Sequence, residues 1–231
     1  MPDATRKLVI AIDGPAGAGK STIAARLAQK LGYTNLESGA MYRALALKAI
    51  EGNVSQDDEA QLLALAKSSD IRLQPTGEGN RVFLDGSDVS GRIRERDVTD
   101  AASRISVHPR VRAWMVARQR EMGLRGGVIM EGRDIGTKVF PDADLKIFLD
   151  AAPEVRQERR IQQRGAGANQ EEAQRLASEL AQRDLRDRTR AASPLEAAPD
   201  AVHIDSSVMG VDEVVRQVEE LARARIKNQR P

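Results

Sequence analysis

The chain contains no cysteine, which excludes disulfide bonds and cysteine-ligated zinc sites. It also contains no apolar run approaching the roughly 20 residues that cross a membrane. Its first residues show no apolar signal-peptide core before the first strand pattern begins. These absences predict a cytoplasmic protein with no membrane partner.

Aromatic residues are scarce, at 3% of the chain, and acidic side chains nearly balance the basic ones, for a net charge of +2. Because nucleic-acid binding uses a basic surface or stacking aromatics, the composition predicts no nucleic-acid partner. Lysine is scarce too, with 8 residues against 28 arginines. The excess of arginine fits a compositional bias, but arginine is also the side chain that binds phosphate through two hydrogen bonds at once.

What the sequence does contain is a complete phosphate-binding loop. An apolar strand pattern over 7–13 runs into Gly14-x-x-x-x-Gly19-Lys20-Ser21, and a helix pattern follows. Lys20 is placed to contact the β- and γ-phosphates of a nucleoside triphosphate, and the Ser21 hydroxyl to bind Mg²⁺. A glycine-rich turn without a ligand is the alternative, and the flanking strand and helix argue against it. The predicted triphosphate-binding residues are Gly14, Pro15, Ala16, Gly17, Ala18, Gly19, Lys20, Ser21 and Thr22.

Strand patterns and helix patterns alternate along the chain, which is typical of an α/β fold with a parallel sheet and right-handed crossovers. Apolar runs predict buried strands at 7–13, 128–131 and 145–150, and the sequence also predicts a short strand end near 35–37 and a last strand at 201–205. Residues 70–91 differ, because their apolar residues alternate around glycine-containing turns. That pattern predicts a small antiparallel β insert.

Ligands of open α/β sheets bind at the carboxyl ends of the strands. Four clusters rich in arginine and polar residues fall at that edge: 38–43, 132–134, 156–164 and 183–190. A single arginine is usually part of a solvated helix face, but four clusters at one edge favour a second anion facing the phosphate loop. The 183–190 cluster alone fits a salt-bridged surface helix equally well. The glycine-rich segment 165–169 is typical of a mobile flap.

Three segments, taken with the phosphate loop, closely resemble the bacterial cytidylate kinases, the CMP/dCMP kinases of the nucleoside-monophosphate kinase superfamily. They are Glu37-Ser-Gly-Ala-Met-Tyr-Arg43, Glu131-Gly-Arg-Asp-Ile-Gly-Thr137, and Arg183-Asp-x-x-Asp187-x-x-Arg190 with Ser-Pro-Leu195 after it. The resemblance extends over about 7–226. Glu37 and Glu131 depart from it, because many members carry aspartate at these two positions.

The resemblance implies a P-loop kinase fold, with a parallel five-stranded sheet flanked by helices, a small antiparallel insert and a short lid. It implies a single cytidylate kinase domain over 1–231. The expected regions are a core of about 7–37, 107–155 and 171–227, an NMP-binding region of about 38–106 that carries the insert at about 70–91, and a lid of about 156–170.

The resemblance also implies roles for individual residues at an acceptor site for CMP. A carboxylate can accept a hydrogen bond from the amino group of cytosine, while arginine and serine can donate to the ring nitrogen and carbonyl. The residues implied are Arg43, Arg133 and Arg190 for the acceptor phosphate, Arg183 and Asp187 for the sugar, Ser103, Arg112 and Asp134 for the cytosine edge, and Ser38, Gly39 and Tyr42 beside them.

The reaction implied is ATP + CMP ⇌ ADP + CDP with Mg²⁺, and likewise with dCMP, in pyrimidine nucleotide metabolism, by a monomeric enzyme. A phosphate monoester is mostly a dianion at neutral pH, because its second pKa is about 6. The nucleophile therefore needs no general base, and His108 and His203, which lie away from the motifs, are expected to be structural. The expected catalysts are cations, with the last three on the lid: Lys20, Arg133, Arg190, Arg156, Arg159 and Arg160.

Several alternatives stay open from the sequence alone. Other small P-loop kinases act on UMP, AMP, shikimate or dephospho-coenzyme A, although Asp134 together with Arg112 favours an amino-pyrimidine. A GTPase switch predicts an Asn-Lys-x-Asp segment, which the sequence does not contain. A nucleic-acid-dependent ATPase predicts a basic tract or stacking aromatics, and the sequence has neither.

Overall fold

A computed structural model describes residues 7–77, 79–164 and 170–228. In chain order the strands are β1 (Val9–Asp13), β2 (Thr34–Glu37), β3 (Ile71–Thr76), β4 (Gly79–Leu84), β5 (Ser87–Asp88), β6 (Val128–Gly132), β7 (Leu145–Asp150) and β8 (Val202–Asp205). The helices are α1 (Lys20–Leu31), α2 (Ser38–Glu51), α3 (Glu59–Lys67), α4 (Arg96–Ile105), α5 (Pro109–Gly123), α6 (Pro153–Arg164), α7 (Gln170–Thr189) and α8 (Val211–Asn228). A 3₁₀ turn spans Arg92–Arg94 and a π-helical turn spans Ile135–Val139.

The larger sheet is parallel and five-stranded, in the order β2-β6-β1-β7-β8. Helices flank it, and this architecture confirms the predicted fold class. β1 is the central strand, with Ile10 paired to Ile129 of β6 and to Leu145 of β7. The chain leaves β1 toward one edge and returns through β7 toward the other, so a crevice opens beyond the carboxyl end of β1.

Alternate residues of β1 face opposite layers of the core. Ile10 and Ile12 pack with residues of α1 and α8, among them Leu27 and Val218. Ala11 faces the other layer with Met130 of β6. Burial on both faces explains why the central strands read as continuous apolar runs in the sequence.

The segment between β2 and β6 forms its own apolar cluster, in which Met41, Leu45, Leu62, Ile105 and Met115 are fully buried. The predicted β insert is present as the antiparallel sheet β3-β4-β5. The small sheet packs beside β2 and α2.

Two features of the fold were not predicted from the sequence, namely the strand order and the π-helical turn over Ile135–Val139. The predicted flap at 165–169 lies outside the described residues, between α6 and α7. Among the helices that the structure describes, none combines the length and apolar character needed to span a bilayer.

Candidate active site

The phosphate loop leaves the carboxyl end of β1 and enters α1 at Lys20. Gly14 has a φ of +149°, and a Cβ atom there would lie 1.9 Å from the carbonyl oxygen of Leu149. Only glycine fits this position, which brings the loop against β7. The positive end of the α1 dipole then faces the interior of the loop, where it favours an anion.

Lys20 is buried at the start of α1, and its Nζ donates a hydrogen bond to the carbonyl oxygen of Pro15 at 2.7 Å. Burial lowers the pKa of Lys20 to about 7, and the positive charge of Arg133 acts in the same direction. A bound phosphate would provide the opposite charge that restores the protonated form. Lys20 is thus held on its own loop, at a position suited to an anionic ligand.

Ser21 lies beside a carboxylate that the sequence analysis did not assign to the site. The Ser21 hydroxyl donates to Oε1 of Glu131, at the end of β6, at 2.8 Å. Mg²⁺ commonly binds one or two protein oxygen ligands together with substrate phosphates, and this pair fits that requirement. Within the described residues, no three His, Cys, Asp or Glu side chains gather as a self-sufficient metal cluster.

A cavity of about 860 Å³ opens at this edge and joins the phosphate loop to α4, α5 and α7. From the loop, it is lined by Ala16, Gly17, Gly19, Lys20, Ser21 and Thr22, whereas Gly14, Pro15 and Ala18 lie outside the lining. Every residue predicted for CMP lines it as well: Ser38, Gly39, Tyr42, Arg43, Ser103, Arg112, Arg133, Asp134, Arg183, Asp187 and Arg190. The structure therefore brings together residues that are up to about 170 positions apart in the sequence.

One wall of the cavity carries a buried ion pair between Arg112 and Asp134. Arg112 also donates to the carbonyl oxygen of Ser106 at 3.0 Å, and its guanidinium lies 5.5 Å from the centre of the Tyr42 ring. Among the described residues, the hydroxyls of Tyr42 and Ser103 and the Nε of Arg112 are buried without a hydrogen-bond partner. Such groups are usually satisfied, so their convergence on one wall indicates a polar ligand there.

Asp187 of α7 lies between two arginines that also line the cavity. Its Oδ2 accepts from Arg133 Nε at 2.8 Å, and its Oδ1 accepts from Arg190 Nη1 at 3.3 Å. Burial opposes ionisation of this carboxyl, but the surrounding arginines hold its pKa below the ordinary value. Arg190 keeps a buried Nη2 that has no partner among the described residues. Asp187 thus orients both arginines, and Nη2 of Arg190 remains as a donor for a ligand in the cavity.

Arg183 lies in the same cavity, close to several other arginines. Burial lowers the pKa of Arg183 to about 10, and repulsion from Arg133 is the next cause. A cation whose pKa is lowered by neighbouring cations marks a position where an anion would be strongly bound.

The three predicted lid arginines differ in position. Arg160 lines the cavity. Arg156 donates to the carbonyl oxygens of Ala151 at 2.9 Å and Ala16 at 3.1 Å and pairs with Asp184. Arg159 donates to the carbonyl oxygen of Ser206 at 2.6 Å. Arg156 and Arg159 therefore brace the phosphate loop and its surroundings in this structure, and their direct contact with substrate stays a prediction.

Asp13 is a second residue that sequence reasoning missed. Its buried carboxylate accepts from the backbone N–H groups of Ile135 at 2.8 Å and Gly136 at 2.7 Å. Burial raises the pKa of Asp13 to about 6. Asp13 fixes the π-helical turn that follows Asp134, and the only signal for it in the sequence is its place directly before Gly14.

The chain's two histidines do not line the cavity. His108 contacts the carbonyl oxygen of Gln56 at 2.8 Å, and the His203 ring packs beside Phe148. A phosphate loop that faces buried arginines, on a parallel sheet and without a histidine base, defines a phosphotransferase of the P-loop kinase class. A sequence model described as cytidylate kinase matches residues 10–224. The chain belongs to the cytidylate kinase family.

Several similar proteins align with this chain over nearly its whole length. A cytidylate kinase from Geobacillus kaustophilus is 46% identical over 221 residues, which cover 96% of this chain and 99% of the relative. A cytidylate kinase from Solibacter usitatus is 47% identical, over 97% of this chain and 96% of the relative. A cytidylate kinase from Aeromonas salmonicida is 49% identical, over 91% of each chain.

Proposed function

We propose that this protein transfers the γ-phosphoryl group of ATP to CMP and dCMP, giving ADP with CDP or dCDP. One observation carries the proposal: a single cavity holds both the phosphate loop and the complete set of residues predicted for CMP. The names of the similar proteins support it, because they are cytidylate kinases.

The acceptor phosphate is itself the nucleophile in this proposal. Two anions must approach each other in line, so the chief requirement is to offset their repulsion. Lys20 would contact the β- and γ-phosphates of ATP, while Arg43, Arg133 and Arg190 would hold the phosphate of CMP. Asp187, hydrogen-bonded to the last two, keeps them oriented before the substrate enters. This arrangement supplies positive charge without a large reorganisation during transfer.

Ser21 and Glu131 are the residues that would hold Mg²⁺. When bound, the ion supplies further positive charge against the phosphate oxygens of ATP. The hydroxyl and the carboxylate already lie within 2.8 Å of each other at the edge of the loop.

Base selection would depend on the wall that carries Arg112 and Asp134. Cytosine presents an amino group, an unprotonated ring nitrogen and a carbonyl, which match a carboxylate acceptor and two donors. Uracil presents a carbonyl and a ring N–H at the first two positions, so both contacts would become mismatched. Unpaired polar groups in a buried site discriminate strongly against such a substrate.

The regional assignments belong to the same proposal. The core of about 7–37, 107–155 and 171–227 would bind ATP, the region of about 38–106 would bind CMP, and about 156–170 would close as a lid. Closure would exclude water, the competing phosphoryl acceptor. Arg156, Arg159 and Arg160 would join the catalytic cations in that closed state. The enzyme would act as a cytoplasmic monomer, without a nucleic-acid or membrane partner.

A coupled assay for ADP release tests this function directly. MgATP is supplied with CMP, dCMP, UMP, AMP, GMP or a polynucleotide in turn. The proposal predicts that CMP and dCMP are the best acceptors and that polynucleotide gives no stimulation. A preference for UMP or AMP would favour the alternative of another small P-loop kinase.

A further inference from the structure

Glu37 ends β2 and is not among the residues proposed to contact substrate. Its side chain is 8% exposed, and its carboxylate lies between two arginines. Oε2 accepts from Arg43 Nη2 at 3.3 Å, and Oε1 lies 3.9 Å from Arg94 Nη2. Arg43 lines the cavity, and its Nε is buried with no hydrogen-bond partner among the described residues. Glu37 therefore binds one nitrogen of the Arg43 guanidinium, and the Nε donor of the same group has no partner among the described residues.

The β insert braces Glu37 from behind. The buried Asn80 of β4 accepts from the Glu37 backbone N–H at 2.8 Å and donates to the carbonyl oxygen of Asn35, also at 2.8 Å. Gly79 has a φ of +142°, which strains any residue other than glycine, and a Cβ atom there would lie 2.8 Å from Glu37 Oε1. β2 is an edge strand of the large sheet, and Asn80 satisfies backbone groups at that edge.

A second carboxylate competes for the same arginine. Burial lowers the pKa of Arg43, and the negative charges of Glu37 and then Glu131 act against this shift. Without Glu37, the remaining attraction on Arg43 would come from Glu131, beside Ser21. Arg43 would then be drawn toward the proposed Mg²⁺ ligands and away from the acceptor phosphate.

We propose that Glu37, braced by Gly79 and Asn80 of the insert, is a positioning residue that holds Arg43 toward the phosphate of CMP. The inference rests on the proposed function, because it assumes that Arg43 binds the acceptor phosphate. It assigns the β insert a part in phosphate binding through its contact with β2.

Removing the Glu37 carboxylate would have two opposing effects on CMP binding, so the direction of the measured change is informative. Removing a carboxylate near a phosphate site lessens repulsion and would tighten CMP binding. Releasing Arg43 costs a charge-assisted hydrogen bond to the phosphate, whose loss weakens binding by about tenfold or more. The positioning role predicts that the second effect wins.

The experiment compares CMP with cytidine, which lacks the phosphate, by calorimetric titration of the full-length chain. For Glu37→Gln we expect CMP to bind about tenfold more weakly, with cytidine binding and the KM for ATP unchanged. Glu37→Asp keeps the charge and should recover most of the affinity for CMP. Arg81→Gln breaks an exposed ion pair with Asp88 on the same insert, and serves as the matched control with unchanged binding.

A double-mutant cycle identifies the residue through which Glu37 acts. In the Arg43→Gln background, Glu37→Gln should change CMP binding by less than about twofold, because the guanidinium it positions is gone. Tighter CMP binding, equal losses for CMP and cytidine, or the same loss in both backgrounds would overturn the inference. Failure of the proposed function would be a different result, namely a wild-type protein that does not phosphorylate CMP.

Discussion

Several arginines that line the cavity are each held in place by an ion pair with a carboxylate. Asp187 orients Arg133 and Arg190, and Asp134 pairs with Arg112. Burying ion pairs costs desolvation free energy that their attraction seldom exceeds, so such pairs are poor evidence for stability. We therefore attribute this cluster to anion binding, for which preset arginines are an advantage.

Arg133 gives the sharpest prediction for a single side chain. Arg133→Ala should lower kcat/KM for CMP by on the order of 10²–10³, because it removes one preset donor to the transferring group and leaves Asp187 with Arg190 as its hydrogen-bond partner. Steady-state kinetics with MgATP and CMP measures the change. Arg118→Ala, which breaks an exposed ion pair with Glu121 on α5, is the control. Near-normal turnover by Arg133→Ala would remove Arg133 from the mechanism.

Asp13 makes stability depend on pH in a defined direction. Its pKa of about 6 in the folded protein is above the ordinary 3.8, so the folded state binds this proton more tightly than the unfolded chain. The resulting stabilisation is present at acid pH and is lost as the pH rises through about 4 to 6. The Asp13→Asn variant has no titratable group at this position. Across that pH interval, the free energy of unfolding of the wild type should therefore fall by up to about 3 kcal/mol relative to that of the variant.

Urea unfolding of both proteins at several pH values measures this difference. The exposed Asp142→Asn is the matched control for loss of one carboxylate. If the difference in free energy of unfolding between the wild type and Asp13→Asn stayed constant from acid to neutral pH, Asp13 would not titrate in this way.

Motif residues were predictable one by one, and their partners were not. The chemical roles of the motif segments can be predicted from the sequence, as they were for Lys20, Ser21 and Arg133. Glu131 meets Ser21 across 110 positions, and Asp13 meets Ile135 across 122. Contacts over such distances depend on which strands are neighbours, and local patterns do not contain that information.

At the scale of elements, periodicity predicted most helices and the strands of the large sheet. Arg183 and Asp187 of α7 and Arg190, which directly follows α7, recur at helical spacing and share one face, which explains why they act together. Arg186 also lines the cavity, and its Nη2 pairs with Asp100 of α4 at 3.2 Å. The π-helical turn after Asp134 had no periodic signal, because Asp13 fixes it through backbone contacts.

The phosphate loop gives the prediction for an element. Gly14→Ala should destabilise the protein by about 3 kcal/mol and weaken ATP binding, because the new methyl group meets the Leu149 carbonyl at a positive φ. Chemical denaturation and an ATP titration measure the two effects. Gly91→Ala is the control, since a Cβ atom there meets open space. Equal stability of Gly14→Ala and the wild type would contradict the loop geometry.

For the whole molecule, the cavity arises from segments that only the tertiary fold brings together. α4 and α5 come from the chain between β2 and β6, whereas α7 follows β7. The sequence predicted an α/β sheet and an insert, but the order β2-β6-β1-β7-β8 had no local signature. The composition of the site was therefore predictable from the family resemblance, while its geometry required the fold.

The proposed monomer is testable at the same scale. The exposed large apolar side chains of the described residues are Leu124, Leu185, Val208 and Val211, of which only the last two are neighbours in the sequence. A stable interface typically buries more than about 1,000 Å² with a central apolar cluster. Sedimentation equilibrium should therefore give a mass of 25.2 kDa. A concentration-independent dimer mass would contradict this prediction.

The central claim is that one cavity joins an ATP site to a CMP site. The most direct measurement follows the label from γ-phosphate-labelled ATP, with products separated after incubation with Mg²⁺ and CMP or UMP. We predict that the label moves to CDP, that UMP accepts it far less well, and that little free phosphate forms. Label released as inorganic phosphate regardless of acceptor, or transferred to UMP in preference to CMP, would contradict the account.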